Sequence, residues 1–196
     1  MKDAEPGTDT PDDIGANLRY ARKQTGMTLK ELAVRVGCSE SLLSKIERGR
    51  TPPTLATLYK LSEILGISVA SMFSDESHGK VAIYDQGQRP RLKLTPPDGF
   101  DAGVIFERMV PYKEGGLLDA NLHIVPPGGG SSGTYAHRGE EVGFVVSGYV
   151  ELTVDGKATA LSRGSSFFFD SELPHSYRNI GSVDVVIVWV AAARQD

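Results

Sequence analysis

The hydrophobic period of this chain changes once, near residue 75, and one packed layer does not serve both periods. Before that point apolar residues recur three and four apart. Ile14, Leu18 and Ala21 form one such series, Leu29, Leu32, Ala33 and Val36 a second, and Leu55, Leu58, Leu61, Ile64 and Leu65 another. This is the spacing of short helices that each bury one stripe. Beyond it come VAIYD, RLKL, GVIFERMV, LLDANLHIV, VGFVV, YVELTV, ATAL, SFFF, HSYRN and VDVVIVWV, short and often alternating runs divided by Gly, Pro, Asp and Asn. These read as strands.

The stop and start signals sharpen both halves. Gly26 ends the first helix, and Thr28 opens the second, with Glu31 three residues on to complete a capping box. Gly37 ends that helix. Ser39 caps SESLLSKIE, Gly49 stops it, Thr54 caps TLATLYKLSEILG, and Ser68 begins a last turn, SVASMF. Five short helices in so few residues make an all-α bundle, expected over residues 12–75. Residues 76–80 are polar and aperiodic, a linker that carries a solvated His78. An all-β domain is expected over 81–193, a sandwich or small barrel, with Asp155-Gly156 as a two-residue hairpin turn.

Composition bounds the partners. Of 196 residues 40% are hydrophobic, enough for packed cores. The longest apolar run, VDVVIVWVAAA, is about half the length of a membrane helix. The acidic start MKDAEPGTDTPDD lacks the apolar core of a signal peptide, and the lone Cys38 excludes an internal disulfide framework. A cytoplasmic protein with no membrane partner is expected. The net charge is −4, yet Ile14 to Lys60 holds nine basic residues against three acids, which leaves −10 for the remainder. One half is built to meet an anion.

The second helix, the Gly37 turn and the capped third helix form a helix-turn-helix unit. The third helix buries Leu42, Leu43 and Ile46 and exposes Glu40, Ser41, Ser44 and Lys45. Residues near its start would meet base edges, while Lys45, Arg48 and Arg50 would meet phosphate. The stretch TLKELAVRVGCSESLLSKIERGRTPPTLATLYKLSEILGIS closely resembles the lambda-repressor-like (Xre) family. That resemblance implies base contacts from Glu40, Ser41 and Ser44, and backbone contacts from the flanks of both helices, where Thr28 and Ser39 stand. Leu29 departs from the pattern, since many members carry a polar, phosphate-contacting residue there. One bundle covers a half-site, so a homodimer on a two-fold-related duplex operator is expected.

In the strand half, TYAHRGEEVGFVVSG places Tyr135, His137, Gly139 and Glu141 on one face if the chain runs extended. His175 follows Pro174 after a later strand. Two imidazoles and one carboxylate make a set suited to Fe(II), and also to Zn, Mn, Ni or Cu. The spacings resemble the two motifs of the cupin family. Gly129, Tyr135, His137, Glu141 and Gly148 stand at the first motif's intervals, and Gly164, Asp170, Glu172, His175 and Asn179 at the second's. The resemblance implies a double-stranded β-helix, or jelly-roll, barrel, with either a divalent metal (Zn, Fe, Mn or Ni) held by His137, Glu141 and His175 or a metal-free pocket in which these residues hydrogen-bond an organic ligand directly. Tyr135 replaces a family histidine as a fourth oxygen ligand or as a closing residue. Asp170 and Glu172 replace a P-x-G turn. Arg108, Tyr112 and Tyr177 offer an effector pocket, and His123 a structural or pocket-lining imidazole.

Over nearly its full length the chain resembles Xre-cupin regulators, in which a DNA-reading bundle carries a sensor that binds a small-molecule effector and dimerises. The alternative is a mononuclear non-haem iron cupin enzyme resembling hydroxypropylphosphonic acid epoxidase. That enzyme reaches its substrate with a lysine at the end of its first helix, where this chain has Gly26, and its helix-turn-helix is degenerate. No catalytic residue is therefore expected.

Overall fold

The computed structural model describes residues 12–67, 69–72, 81–96, 100–111, 117–131 and 135–192. Four α-helices come first among them: α1 (Asp12–Gln24), α2 (Leu29–Val36), α3 (Glu40–Glu47) and α4 (Leu55–Leu65). The expected fifth helix is a 3₁₀ turn, Val69–Met72. Four residues suffice for the tighter i→i+3 pattern but not for an α-helix. The linker 76–80 lies outside the described residues.

The local signals act as read. The Thr28 side chain accepts from Glu31 N while the Glu31 carboxylate accepts from Thr28 N, completing the capping box of α2. Ser39 and Thr54 cap α3 and α4 by accepting from Leu42 N and Thr57 N. Gly37 and Gly66 end α2 and α4 in the left-handed region that glycine enters without strain. The stripes meet in one core, with Leu18, Leu32, Leu43, Leu58 and Leu61 fully buried. An ion pair tightens it: Arg22 Nε and Nη2 donate to the two oxygens of Glu47 at 2.6 and 2.9 Å, joining α1 to α3.

Nine strands follow among the described residues: β1 (Arg91–Lys93), β2 (Ile105–Arg108), β3 (Leu118–Val125), β4 (Glu140–Ser147), β5 (Tyr149–Val154), β6 (Lys157–Ser162), β7 (Ser166–Asp170), β8 (His175–Asn179) and β9 (Val185–Ala192). They form a six-stranded sheet, β1-β2-β3-β9-β4-β7, and a three-stranded sheet, β6-β5-β8. The inner faces meet: the Tyr177 hydroxyl on β8 lies 2.9 Å from His123 Nδ1 on β3, and Tyr177 packs on Trp189 of β9. A closed barrel was expected, and the sheets are instead open. The second edge of β8 faces a glycine-bearing segment that makes single bridges, Gly130 to Arg178 and Tyr135 to His175, rather than a ladder. VAIYD is also not a strand. Val81 and Ile83 alternate but stay exposed, without a partner strand among the described residues.

At the Asp155-Gly156 hairpin both residues take positive φ, +48° and +73°, as the turn joining β5 to β6 requires. At Asp170-Ser-Glu172 the Asp170 side chain accepts from Glu172 N at 3.1 Å and closes a bend between β7 and β8. Asn179 closes the next one, donating to Val125 O and Val183 O and accepting from Gly181 N.

Candidate metal centre and DNA-reading face

His137, Glu141 and His175 come together with ligand atoms all within 4.8 Å of one another. Each arrives differently. Glu141 is an inward position of β4 and 1% exposed. His175 opens β8 on the facing sheet and is 0% exposed. His137 does not share a strand with Glu141, as an extended run would require. Gly139 turns the chain with φ +126°, and β4 begins at Glu140. His137 therefore lies on a loop, anchored by its N–H donating to Ser171 O at 2.9 Å.

The hydrogen bonds decide whether these residues suit a cation. His175 Nδ1 lies 2.8 Å from Leu173 O, so a neutral ring carries its proton on Nδ1 and donates it there. Its Nε2 then presents a lone pair to Glu141 Oε2, 3.3 Å away, and neither atom has a hydrogen-bond partner. Two buried acceptors facing each other are costly unless a cation or a proton lies between them. His137 Nε2 lies 3.0 Å from Glu141 Oε1, with its Nδ1 turned towards Arg138 O. Burial pushes His137 down, but the hydrogen bond and charge of Glu141 together outweigh it and raise its pKa. Burial wins at His175, whose pKa is lowered despite the same carboxylate. The donor set fits a divalent metal.

Rings wall the cluster. Tyr135 sets its edge against His175 at 4.3 Å and is 8% exposed. Phe169 lies 4.8 Å from His175. Tyr59, from α4 of the helical bundle, stacks on both Tyr135 and His137 at 4.7 and 4.9 Å with planes 11° and 9° apart. Nothing in the periodicity distinguished Tyr59 from a helix surface residue.

Of the expected effector residues, Tyr112 lies outside the described residues. Arg108 is 1% exposed, donating from Nε and Nη2 to Val110 O. Tyr177 shares its hydroxyl with His123, which stacks 4.8 Å from Trp189 and is driven by burial to a pKa of about 3. His123 is thus a neutral core imidazole. Sequence reasoning missed Asp119 on β3, which accepts from Asn121 Nδ2 at 2.9 Å. Burial raises its pKa, opposed first by the charge of Arg108. Its neighbours in the register, Ala191 and then Glu141, align it with the His-Glu-His cluster across the sheet.

On α3, Glu40, Ser41 and Lys45 are exposed, as are Thr28, Ser39, Arg48 and Arg50 around it. Ser44 is half-buried and accepts from Arg48 Nη2 at 2.7 Å, so these two side chains are held as a pair. Leu42, expected in the core, is 36% exposed. Leu43, Ile46 and Glu47 fill the buried stripe, and Leu42 falls about 100° away from Leu43, beside Ser41. Its methyls lie on the exposed side of α3.

A capped helix-turn-helix bundle joined to a two-sheet domain with a His-Glu-His cluster defines a DNA-binding type of head on a cupin-type fold. Residues 18–71 match the helix-turn-helix family and residues 121–191 the cupin domain family. The HTH-type transcriptional regulator SutR of Escherichia coli is 27% identical over 173 residues, 88% of this chain and 90% of that protein. The uncharacterized HTH-type transcriptional regulator y4dJ of Sinorhizobium fredii is 44% identical over 55 residues, 28% of this chain and 71% of that protein. A crystal structure of an HTH_3 family transcriptional regulator from Vibrio cholerae shares the fold, with TM-score 0.70 and 23% identity over 96% of this chain and 100% of that one. This chain belongs to the HTH-type transcriptional regulators, with a cupin domain following its DNA-binding domain. No helix among the described residues is long and apolar enough to cross a membrane.

Proposed function

We propose that the chain is a one-component regulator that binds an operator as a homodimer and senses a small molecule at a metal-bearing cupin site. The two facing acceptors, His175 Nε2 and Glu141 Oε2, carry the metal reading, because a divalent cation satisfies both at once. His137, Glu141 and His175 would hold it, and the ion would supply a Lewis-acid anchor for an oxygen-bearing effector. Zinc, iron, manganese and nickel all accept this donor set. Tyr135 acts as a wall, its ring packed between Tyr59 and His175. Arg108 and Tyr177 line the interior as fixed polar groups. The working units are residues 12–75 and 81–193, joined by 76–80.

On DNA, Glu40, Ser41 and Ser44 read base edges. Lys45, Arg48, Arg50, Thr28 and Ser39 face the backbone. Dimerisation is supported by the outer face of the six-stranded sheet. There Val142, Phe144 and Val146 of β4 and Phe168 of β7 are 41–65% exposed. They adjoin Val186, Val188 and Val190 of β9 in register. A DNA operator as partner supports a cytoplasmic location. The regulator names of the relatives support this reading over the enzyme alternative.

The test combines metal analysis of protein purified without chelators with selection of a duplex from a random-sequence pool. One divalent ion per chain, lost in His137→Ala, together with enrichment of a two-fold-related sequence supports the reading. Turnover of a substrate with Fe(II) and oxygen, and no enriched duplex, would overturn it.

A further inference from the structure

Two contacts between the helical bundle and the cupin domain differ in character. One is a polar tether: Thr95 N and Oγ1 donate to Pro53 O and Pro52 O at 3.1 and 2.6 Å. Beside it lies a cavity of about 330 Å³ lined by Ile14, Ile46, Pro53, Leu92 and Leu94, so this part of the junction is not close-packed. The other is the Tyr59 stack on His137 and Tyr135. A swing of the bundle about the tether would alter the gap and the ring contact and leave the Thr95 hydrogen bonds in place.

Tyr59 is well placed to report. Its neighbour Leu58 is fully buried in the bundle core, with Leu55 and Leu61 on the same stripe. α4 packs on α2, and α2 on α3. A displacement at Tyr59 therefore moves the recognition helix with the bundle as a packed body. On the other side of the contact, His137 is the least anchored of the three cluster residues. It lies on a loop with its side chain 22% exposed, against 1% for Glu141 and 0% for His175. A metal on Nε2 would pin this ring and draw electron density from it, strengthening its face-to-face contact with the electron-rich phenol.

We propose that Tyr59 is the coupling residue through which the state of the His137–Glu141–His175 cluster reaches the DNA-reading domain. The proposal rests on the metal reading given above. Metal at the cluster favours the docked bundle, and by linkage docking favours metal. Tyr59 thus makes the metal site a two-domain site, completed by a side chain of the DNA-binding half.

The experiment uses Zn²⁺ alone as ligand and the duplex selected from a random pool by the full-length protein. In wild type, saturating zinc is expected to change duplex affinity by about fivefold or more, the lower end of ordinary coupling. Tyr59→Ala should still bind zinc by calorimetry, within about tenfold of wild type, while its duplex affinity no longer responds to zinc. Tyr59→Phe should behave as wild type, because the stack needs the ring and not the hydroxyl. Tyr59→Leu, which keeps apolar bulk, should behave as Tyr59→Ala and guards against simple misfolding. Retention of the full zinc response in folded Tyr59→Ala or Tyr59→Leu would overturn the coupling role. Absence of zinc binding in wild type would instead overturn the metal reading itself, and the coupling with it.

Discussion

Replacing Glu141 by Gln tests the metal centre with the least steric change. The amide keeps the size of the side chain and removes its charge, at a position 1% exposed and 3.0 and 3.3 Å from two imidazole nitrogens. Without metal, the loss of a charge-assisted bond to His137 costs about 1.5–3 kcal/mol. Relief from burying a carboxylate offsets much of this, so metal-free stability should move by less than about 2 kcal/mol. With metal the outcome differs. Zinc at one hundred times its dissociation constant stabilises wild type by about 2.7 kcal/mol. For a protein of this size that is a rise in melting temperature of roughly 5–10 °C. A hundredfold loss of affinity in Glu141→Gln cuts the gain to about 0.4 kcal/mol, below ~2 °C. Differential scanning calorimetry with and without zinc reads both terms. The zinc-dependent gain should be full above the raised pKa of His137 and fade as acid protonates that ring. A zinc-induced rise of equal size in Glu141→Gln and wild type would refute the reasoning.

Three further outcomes follow from the packing. Gly143→Ala should destabilise the cupin domain by about 1–3 kcal/mol in denaturant unfolding, because a Cβ there would lie 2.0 Å from the Phe167 ring. A neutral effect would mean that β7 does not lie against β4 as described. Phe144→Glu, on the outer face and 47% exposed, should leave the melting temperature nearly unchanged and shift the protein to monomer in analytical ultracentrifugation. An unaltered dimer would place the interface elsewhere. Glu47→Ala strands the Arg22 guanidinium, half-buried between α1 and α3, and should lower stability by about 3 kcal/mol or more. Arg22→Ala and the double variant complete the cycle, which would show a coupling energy near zero if the pair were ornamental.

Much of this architecture was legible because local chemistry and burial agree. Thr28 with Glu31, Ser39 and Thr54 mark helix starts whose stripes close one core. Asp155-Gly156 marks the hairpin whose positive φ values it can adopt. The cluster was legible because motif spacing survives even where Tyr135, Asp170 and Glu172 depart from the pattern. What stayed hidden depends on tertiary placement. Periodicity puts Leu42 in the core, but one residue's rotation on a short helix turns it to the exposed side. Alternation in VAIYD promised a strand, but a strand needs a neighbour. Tyr59 was invisible because its meaning comes from residues 135 and 137 of the other domain.

The most direct measurement is the equilibrium affinity of the full-length protein for the selected duplex across salt, beside a scrambled duplex of equal length. Capture of about six phosphates by a dimer predicts a log–log slope near −5, about a thousandfold loss between 50 and 200 mM salt. Base reading by α3 predicts, in addition, at least about a thousandfold preference over the scrambled sequence. A flat salt response, or equal affinity for both duplexes, would contradict the assignment of α3 and its basic flank as a sequence-reading surface.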